Sequence, residues 1–173
     1  RAVKAAGYPV TEEIAEKAML SVEWPGRLQR LTEGRLVEHA PEGSEIWLDG
    51  GHNPGAGEVI AEAMAAMEER KARPLHLVVG MINTKDPIGF FRAFVDIAHN
   101  VYTVPIHGSD VGLDPVALAL SAAEAGLKAV PMGSLAQALD AIRERSEGGI
   151  PPRIMIGGSL YLAGNVLAEN GTI

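Results

Sequence analysis

No cysteine occurs among the 173 residues, which excludes disulfides and thiolate zinc sites. Long apolar runs are missing too. No stretch of 18 or more apolar residues occurs, so no helical membrane span is expected. The opening RAVKAAGYPVTEE lacks the apolar core of a secretory signal. Positive charge is in deficit, with 15 Lys and Arg against 22 Asp and Glu and a net charge of -7. That balance speaks against nucleic acid or an anionic membrane as main partner, while leaving room for a local site for one small anion. Three motifs are also absent. There is no G-x-x-x-x-G-K-[ST] phosphate loop, no G-x-G-x-x-G and no G-x-S-x-G nucleophile elbow. The five histidines, at 39, 52, 76, 99 and 107, show no metal-ligand spacing. No metal ligand is assigned, and a phosphoryl-transfer site complete in itself is not expected.

What is present is a globular composition, 47% hydrophobic, with enough chain for one domain and a real core. The chain begins at Arg1 rather than Met, as expected of a piece of a longer polypeptide. Thr11 predicts a helix N-cap, with Glu12 and Glu13 in the first turn and Ile14, Ala18 and Met19 as an apolar stripe. Pro25-Gly26 then breaks regular structure, and a domain boundary is placed near Ser21–Pro25. LQRL and RLVEHA flank Glu33-Gly34 and read as two short strands of an antiparallel hairpin.

From Glu45 onward, apolar strands alternate with amphipathic helices. EIWLD, LHLVVGM, NVYTVPI, LKAVPM and RIMIGG read as strands buried on both faces. Helices are predicted to start at Pro54, Pro87, Pro115 and Leu135, and a last one to run from Ser159 to about Glu169. Three of them open with Asx-Pro, where the Asx side chain caps free N–H groups and Pro at the first position loses no hydrogen bond. Ser134 with Gln137 forms a capping box. Repeated β-then-α units give an α/β, Rossmann-like, mostly parallel sheet with helices on both faces and an antiparallel N-terminal strand.

In such a sheet, ligands bind beyond the carboxyl ends of the strands. Three loops lie there: DGGHNPG, GMINTKD and GGSLY. Asp49 ends a strand and can accept from hydroxyls. His52 donates or accepts near neutral pH, and Gly50 and Gly51 let a ligand come close to the backbone. A plain strand–helix turn would equally account for Asn53, Pro54 and the glycines, but it needs neither Asp49 nor His52. Lys85 suits a solvated surface lysine as well as an anion. Ser159 suits a bare N-cap as well as a carboxylate site at a helix start. Arg27, after a Pro-Gly turn, is suited to bidentate contact with phosphate or carboxylate, or is a surface arginine.

WPGRLQ, LDGGHNP, VVGMINTKD and IGGSLYLAG stand in this order along the chain. Over about Val22 to Ala168, the sequence thereby resembles the C-terminal part of the folylpolyglutamate synthase/dihydrofolate synthase family of the Mur ligase superfamily. One departure is Gly51, where the family usually has Ala, a change expected to loosen the loop without removing a ligand. The resemblance implies an ATP- and Mg2+-dependent ligase of the cytoplasm, with L-glutamate and a folate-type acid as the other partners. It assigns residues 1–22 to the tail of a central ATPase domain and its linker, and 23–173 to the C-terminal domain. It implies ATP contacts for Arg27 and Asp49 and glutamate contacts for His52 and Ser159, with Asn53 and Lys85 as further candidates. The phosphate loop, magnesium ligands and most of the folate site belong to the domains that precede. Two other readings remain at this point: another Mur-type amino acid ligase, or a non-catalytic α/β module for a nucleotide or acidic metabolite.

Overall fold

A computed structural model describes residues 5–21 and 24–172. In chain order the elements are α1 (Glu12–Ser21), β1 (Gln29–Leu31), α2 (Arg35–His39), β2 (Glu45–Asp49), α3 (Pro54–Arg70), β3 (Leu75–Val79) and α4 (Pro87–Arg92). They continue with β4 (Ala98–Thr103), α5 (Pro115–Ala125), β5 (Ala129–Pro131), α6 (Leu135–Arg145), β6 (Arg153–Gly157) and α7 (Leu160–Asn170). Six strands form one sheet in the order β1-β2-β6-β3-β4-β5. β1 is antiparallel to β2, and the other neighbours are parallel.

The caps anticipated from the sequence set the helix starts. Thr11 Oγ1 accepts from the N–H of Ile14 at 3.2 Å. The side chains of Asn53, Asp86, Asp114, Ser134 and Ser159 cap α3, α4, α5, α6 and α7. Each satisfies N–H groups that a first helical turn leaves without an intrahelical partner. On α1, Ile14 of the anticipated stripe is half exposed. The side chain of Met19 lies outside the described residues, as do Val22 and Glu23 within the boundary placed at Ser21–Pro25.

Alternation along the strands builds two cores. Ile46, Leu48, Val78, Tyr102, Ile154 and Ile156 face one side, under α2, α6 and α7. Leu77, Val79, Val101 and Met155 face the other, under α3, α4 and α5. The chain crosses from β2 through β3, β4 and β5 with helices on one face. It then returns through α6 on the other face to insert β6 between β2 and β3.

Two expectations fail. EIWLD and LKAVPM are not buried on both faces: β2 alternates half-buried and buried residues, and β5, at the sheet edge, is half-buried to exposed. RLVEHA is not a strand; Arg35–His39 is the short helix α2, and β1 pairs with β2 instead. Leu36, Val37 and Ala40 have the i, i+1, i+4 spacing of a helical face, and Leu36 and Ala40 are buried. Gly34, at φ 114°, takes the chain out of β1 into the helix, a backbone region open mainly to glycine. Asn170, from the end of α7, then accepts from the N–H of Leu36 at 3.1 Å and donates to the Glu33 carbonyl at 2.8 Å.

Candidate functional site

At the carboxyl end of β2 a cleft of about 440 Å³ opens between the loop 24–28, the loop after β2, the first turns of α3 and the start of α7. Its polar side is made by Arg27, Asp49, His52 and Asn53, and its apolar side by Trp24, Val59, Ile60 and Leu160. Trp24, Val59 and Leu160 are each more than 60% exposed.

The loop 24–28 is held in a strained shape. Gly26 has φ 70° and Leu28 φ 40°; the second is a left-handed conformation costing a branched residue on the order of 1 kcal/mol. Four hydrogen bonds keep it there. The N–H of Arg27 donates to the Trp24 carbonyl at 3.2 Å, and the N–H of Gly50 to the Gly26 carbonyl at 2.7 Å. Gln29 Oε1 accepts from the N–H of Gly26 at 2.8 Å, and Asp49 Oδ2 from the N–H of Leu28 at 2.9 Å. Asp49 Oδ1 takes the N–H of Gly51 at 2.7 Å. Both carboxylate oxygens therefore hold backbone, a use that its place at a strand end did not reveal. The Arg27 side chain is exposed, on a turn whose N–H groups at 26, 27 and 28 are all occupied.

His52 is half-buried, and its Nδ1 lies 2.9 Å from the Gly50 carbonyl. A carbonyl only accepts, so Nδ1 carries the proton in this bond and Nε2 remains for a ligand. Asn53 is exposed and uses Oδ1 to accept from the N–H of Ala56 at 2.9 Å, the ordinary work of an N-cap. A methyl at Gly50 would overlap the Leu160 side chain, and one at Gly51 would come 2.8 Å from Ile60 Cδ1 and 3.0 Å from Ala56 Cβ. The space of the alanine that the resemblance leads one to expect at 51 is thus filled by Ile60, so packing offsets the loosening anticipated there.

The other two candidates stand apart. Ser159 is buried, and its Oγ accepts from the N–H of Tyr161 at 3.1 Å as the cap of α7; its neighbour Leu160 lines the cleft instead. Lys85 sits in the loop after β3, two strands from β2, with its own N–H bonded to the Ile82 carbonyl. The structure therefore brings together Arg27, Asp49, His52 and Asn53, but not Ser159 or Lys85. Sequence reasoning missed Leu28, Gln29 and the apolar side. The only local signal was the Pro-Gly turn before them.

Chemically, the cleft suits binding and orientation. The residues lining it include no Ser, Thr, Lys or Cys to act as nucleophile. Among the described residues, no group of three or more His, Asp or Glu is placed to hold a metal ion, and no helix is long and apolar enough to cross a membrane.

No protein-family model matches the chain. Among curated proteins, it is 27% identical over 160 residues to the folylpolyglutamate synthase of Lacticaseibacillus casei, covering 92% of this chain and 32% of that protein. It is 27% identical over 117 residues to the dihydrofolate synthase/folylpolyglutamate synthase of Haemophilus influenzae, covering 62% of this chain and 26% of that one. The chain thus spans about a third or less of the curated relatives it matches. Among solved structures, a Mycobacterium tuberculosis folylpolyglutamate synthase complexed with ADP superposes with a TM-score of 0.80 at 23% identity, over 98% of this chain and 37% of that one. The E. coli FolC protein in complex with DHPP and ADP does so with a TM-score of 0.74 at 23% identity, over 96% and 36%. In sequence and in fold, the chain is similar to the C-terminal domain of folylpolyglutamate synthase.

Proposed function

We propose that the chain is the lid-side half of the active site of an ATP-dependent ligase, one that adds L-glutamate to a dihydropteroate- or tetrahydrofolate-type acid. Residues 1–22 are then the tail of a central ATPase domain and its linker, and 23–173 form the C-terminal domain. The observation that carries this reading is the convergence of Arg27, Asp49 and His52 on one cleft at the carboxyl edge of the sheet. They come from WPGRLQ and LDGGHNP, two of the segments that carry the resemblance.

The chemistry explains why a second wall is required. A carboxylate is a poor electrophile. ATP transfers its γ-phosphoryl group to the acid, giving an acyl phosphate and ADP. The glutamate amine then attacks the acyl carbon, the C–O bond to phosphate breaks, and an amide and phosphate result. Closure of one domain over another excludes water from the acyl phosphate and aligns the amine. Within that scheme Arg27 offers a fixed positive charge to the nucleotide phosphates. Asp49 holds the Arg27 loop and accepts from the nucleotide with its remaining lone pairs. His52 Nε2 faces the glutamate side. Ser159 acts there through its cap on α7, which sets where Leu160 stands. Asn53 and Lys85 stay secondary, one as the cap of α3 and the other outside the cleft. Mg2+ neutralises the phosphates when bound, and its protein ligands are assigned to the other domains.

The test compares two proteins for ATP-dependent transfer of labelled glutamate to dihydropteroate and tetrahydrofolate. The full-length polypeptide containing this chain is expected to turn over, and the chain alone is not. Turnover by the purified chain would overturn the half-site reading. A full-length protein that adds a different amino acid to a different acid would overturn the substrate assignment.

A further inference from the structure

We infer that Gln29 is a positioning residue for the nucleotide: without touching it, Gln29 fixes the turn that aims Arg27 into the cleft. The inference rests on the ligase reading above. Gln29 is the first residue of β1 and is not among the residues lining the cleft beside Asp49. It lines a separate surface depression with Thr32 and Thr172. Its effect on a ligand in the cleft must therefore pass through the loop. The route is short: its Oε1 takes the N–H of Gly26 at 2.8 Å, closing a ring of four residues with Arg27 and Leu28 inside it.

Gly26 is where that grip matters. The residue is at φ 70°, and a Cβ built on it would lie 3.3 Å from the Ala163 Cβ of α7. Its carbonyl takes the N–H of Gly50 at 2.7 Å, so the two sides of this residue tie loop 24–28 to β1 and to the loop after β2. Glycine has no intrinsic preference that would keep φ positive; the bonds from Gln29 and Gly50 do so. Arg27 follows directly, exposed and without an ion-pair partner among the described residues. With the N–H groups of 26, 27 and 28 already bonded, no backbone nest is left for an anion, and the guanidinium is what the loop offers. Its aim depends on the Gly26 peptide, and that peptide depends on an acceptor at position 29.

The experiment is a double-mutant cycle in the full-length ligase, read as KM for ATP, KM for glutamate and kcat. Gln29→Leu removes the acceptor and is expected to raise KM for ATP about fivefold to tenfold, leaving KM for glutamate within about twofold. Gln29→Glu keeps an acceptor oxygen at the same reach and is expected to stay within about twofold of the parent. Arg27→Ala is expected to raise KM for ATP more than tenfold, and adding Gln29→Leu to it should cost nothing further, because Gln29 acts only through Arg27. If Gln29→Leu does not fold, Gln29→Asn, one methylene too short, carries the same expectation. An Arg27→Ala protein with unchanged KM for ATP would overturn the ligase assignment of Arg27. A normal Arg27 effect with a Gln29→Leu protein that loses thermal stability but keeps its KM for ATP would overturn this inference alone. So would full additivity in the double variant.

Discussion

Asp49 Oδ2 accepts the N–H of Leu28 at 2.9 Å, across 21 residues of sequence. That bond holds a leucine at φ 40° and puts the Arg27 loop beside the end of β2. Since Oδ1 takes the N–H of Gly51 at 2.7 Å, Asp49→Ala strands two half-buried donors at once. Each lost bond costs on the order of 1 kcal/mol, so a loss of about 2 kcal/mol and a fall in Tm of roughly 4–8 °C are expected for the isolated chain. His52→Ala should behave differently. His52 is half-buried and bonds only the Gly50 carbonyl next door, so its stability change should stay below about 1 kcal/mol. Thermal unfolding of the two variants side by side checks this; equal melting temperatures would show that Asp49 does not hold the loop.

Asn170 does comparable work at the far end of the sheet. It is buried and bonds the N–H of Leu36, the Glu33 carbonyl and Thr172 Oγ1. Asn170→Ala leaves a buried donor and a carbonyl without partners, a loss of about 2–3 kcal/mol. Asn170→Asp keeps the acceptor for Leu36 but not the donor for Glu33, and should fall between. Denaturant midpoints at constant m-value would test the order. If both variants match the parent, α2 is held by its buried apolar face and its contacts with α6 rather than by Asn170.

The same helix shows why part of the fold escaped the sequence. The strands and capped helices after Glu45 were legible because their signals are local. Asn53-Pro54, Asp86-Pro87 and Asp114-Pro115 each declare a helix start within a few residues, and the starts fall where expected. Residues 35–39 form a helix of little more than one turn, whose few apolar positions are a weak signal read alone, and it rests on Asn170, 134 residues away from Leu36. No window around RLVEHA contains that partner. The insertion of β6 between β2 and β3 is likewise a property of the whole chain. In the site, Arg27, Asp49 and His52 stood out by residue type. That Asp49 is spent on backbone, and that Gln29 grips Gly26, depends on the path of the loop.

Two arginines share one carboxylate at the amino end of the sheet. Arg153 Nε lies 3.0 Å from Glu45 Oε2 and Arg73 Nε 3.2 Å from Glu45 Oε1, with side-chain exposures of 2%, 8% and 15% for Arg153, Arg73 and Glu45. Burial alone would raise the Glu45 carboxyl, but Arg153, Arg73 and Arg30 together hold it below its ordinary value of 4.5. Glu45→Ala leaves both guanidiniums without this partner and should cost about 3–4 kcal/mol. Arg153→Met should cost less, since it removes a buried charge and leaves Glu45 paired with Arg73. Chemical denaturation at pH 7.5 gives the ranking; a reversed order would mean that the carbonyls of Met67 and Lys71, which Arg153 also binds, outweigh the ion pair.

His76 sets the response to mild acid. It sits buried on β3, with ring centroids 6.0 Å from Tyr102 and 6.3 Å from His99. Burial, with smaller contributions from the charges of His99 and Arg145, lowers its pKa from 6.5 to about 4. The fold therefore favours the neutral ring. Below pH 6.5 the unfolded chain takes up a proton that the native chain refuses, so stability falls from there down to about pH 4, by at most about 3 kcal/mol. Glu45 acts in the same direction but in a lower window: its contribution is present above 4.5 and is lost as pH falls through its depressed pKa. His76→Phe keeps a ring beside Tyr102 and gives up no hydrogen bond at Nδ1, which has no partner among the described residues. Unfolding free energies at pH 7.5 and pH 5 should differ less in this variant than in the parent, by about 2 kcal/mol, one proton's worth of slope between pH 6.5 and pH 5. An unchanged difference would show that the acid sensitivity resides elsewhere in the fold.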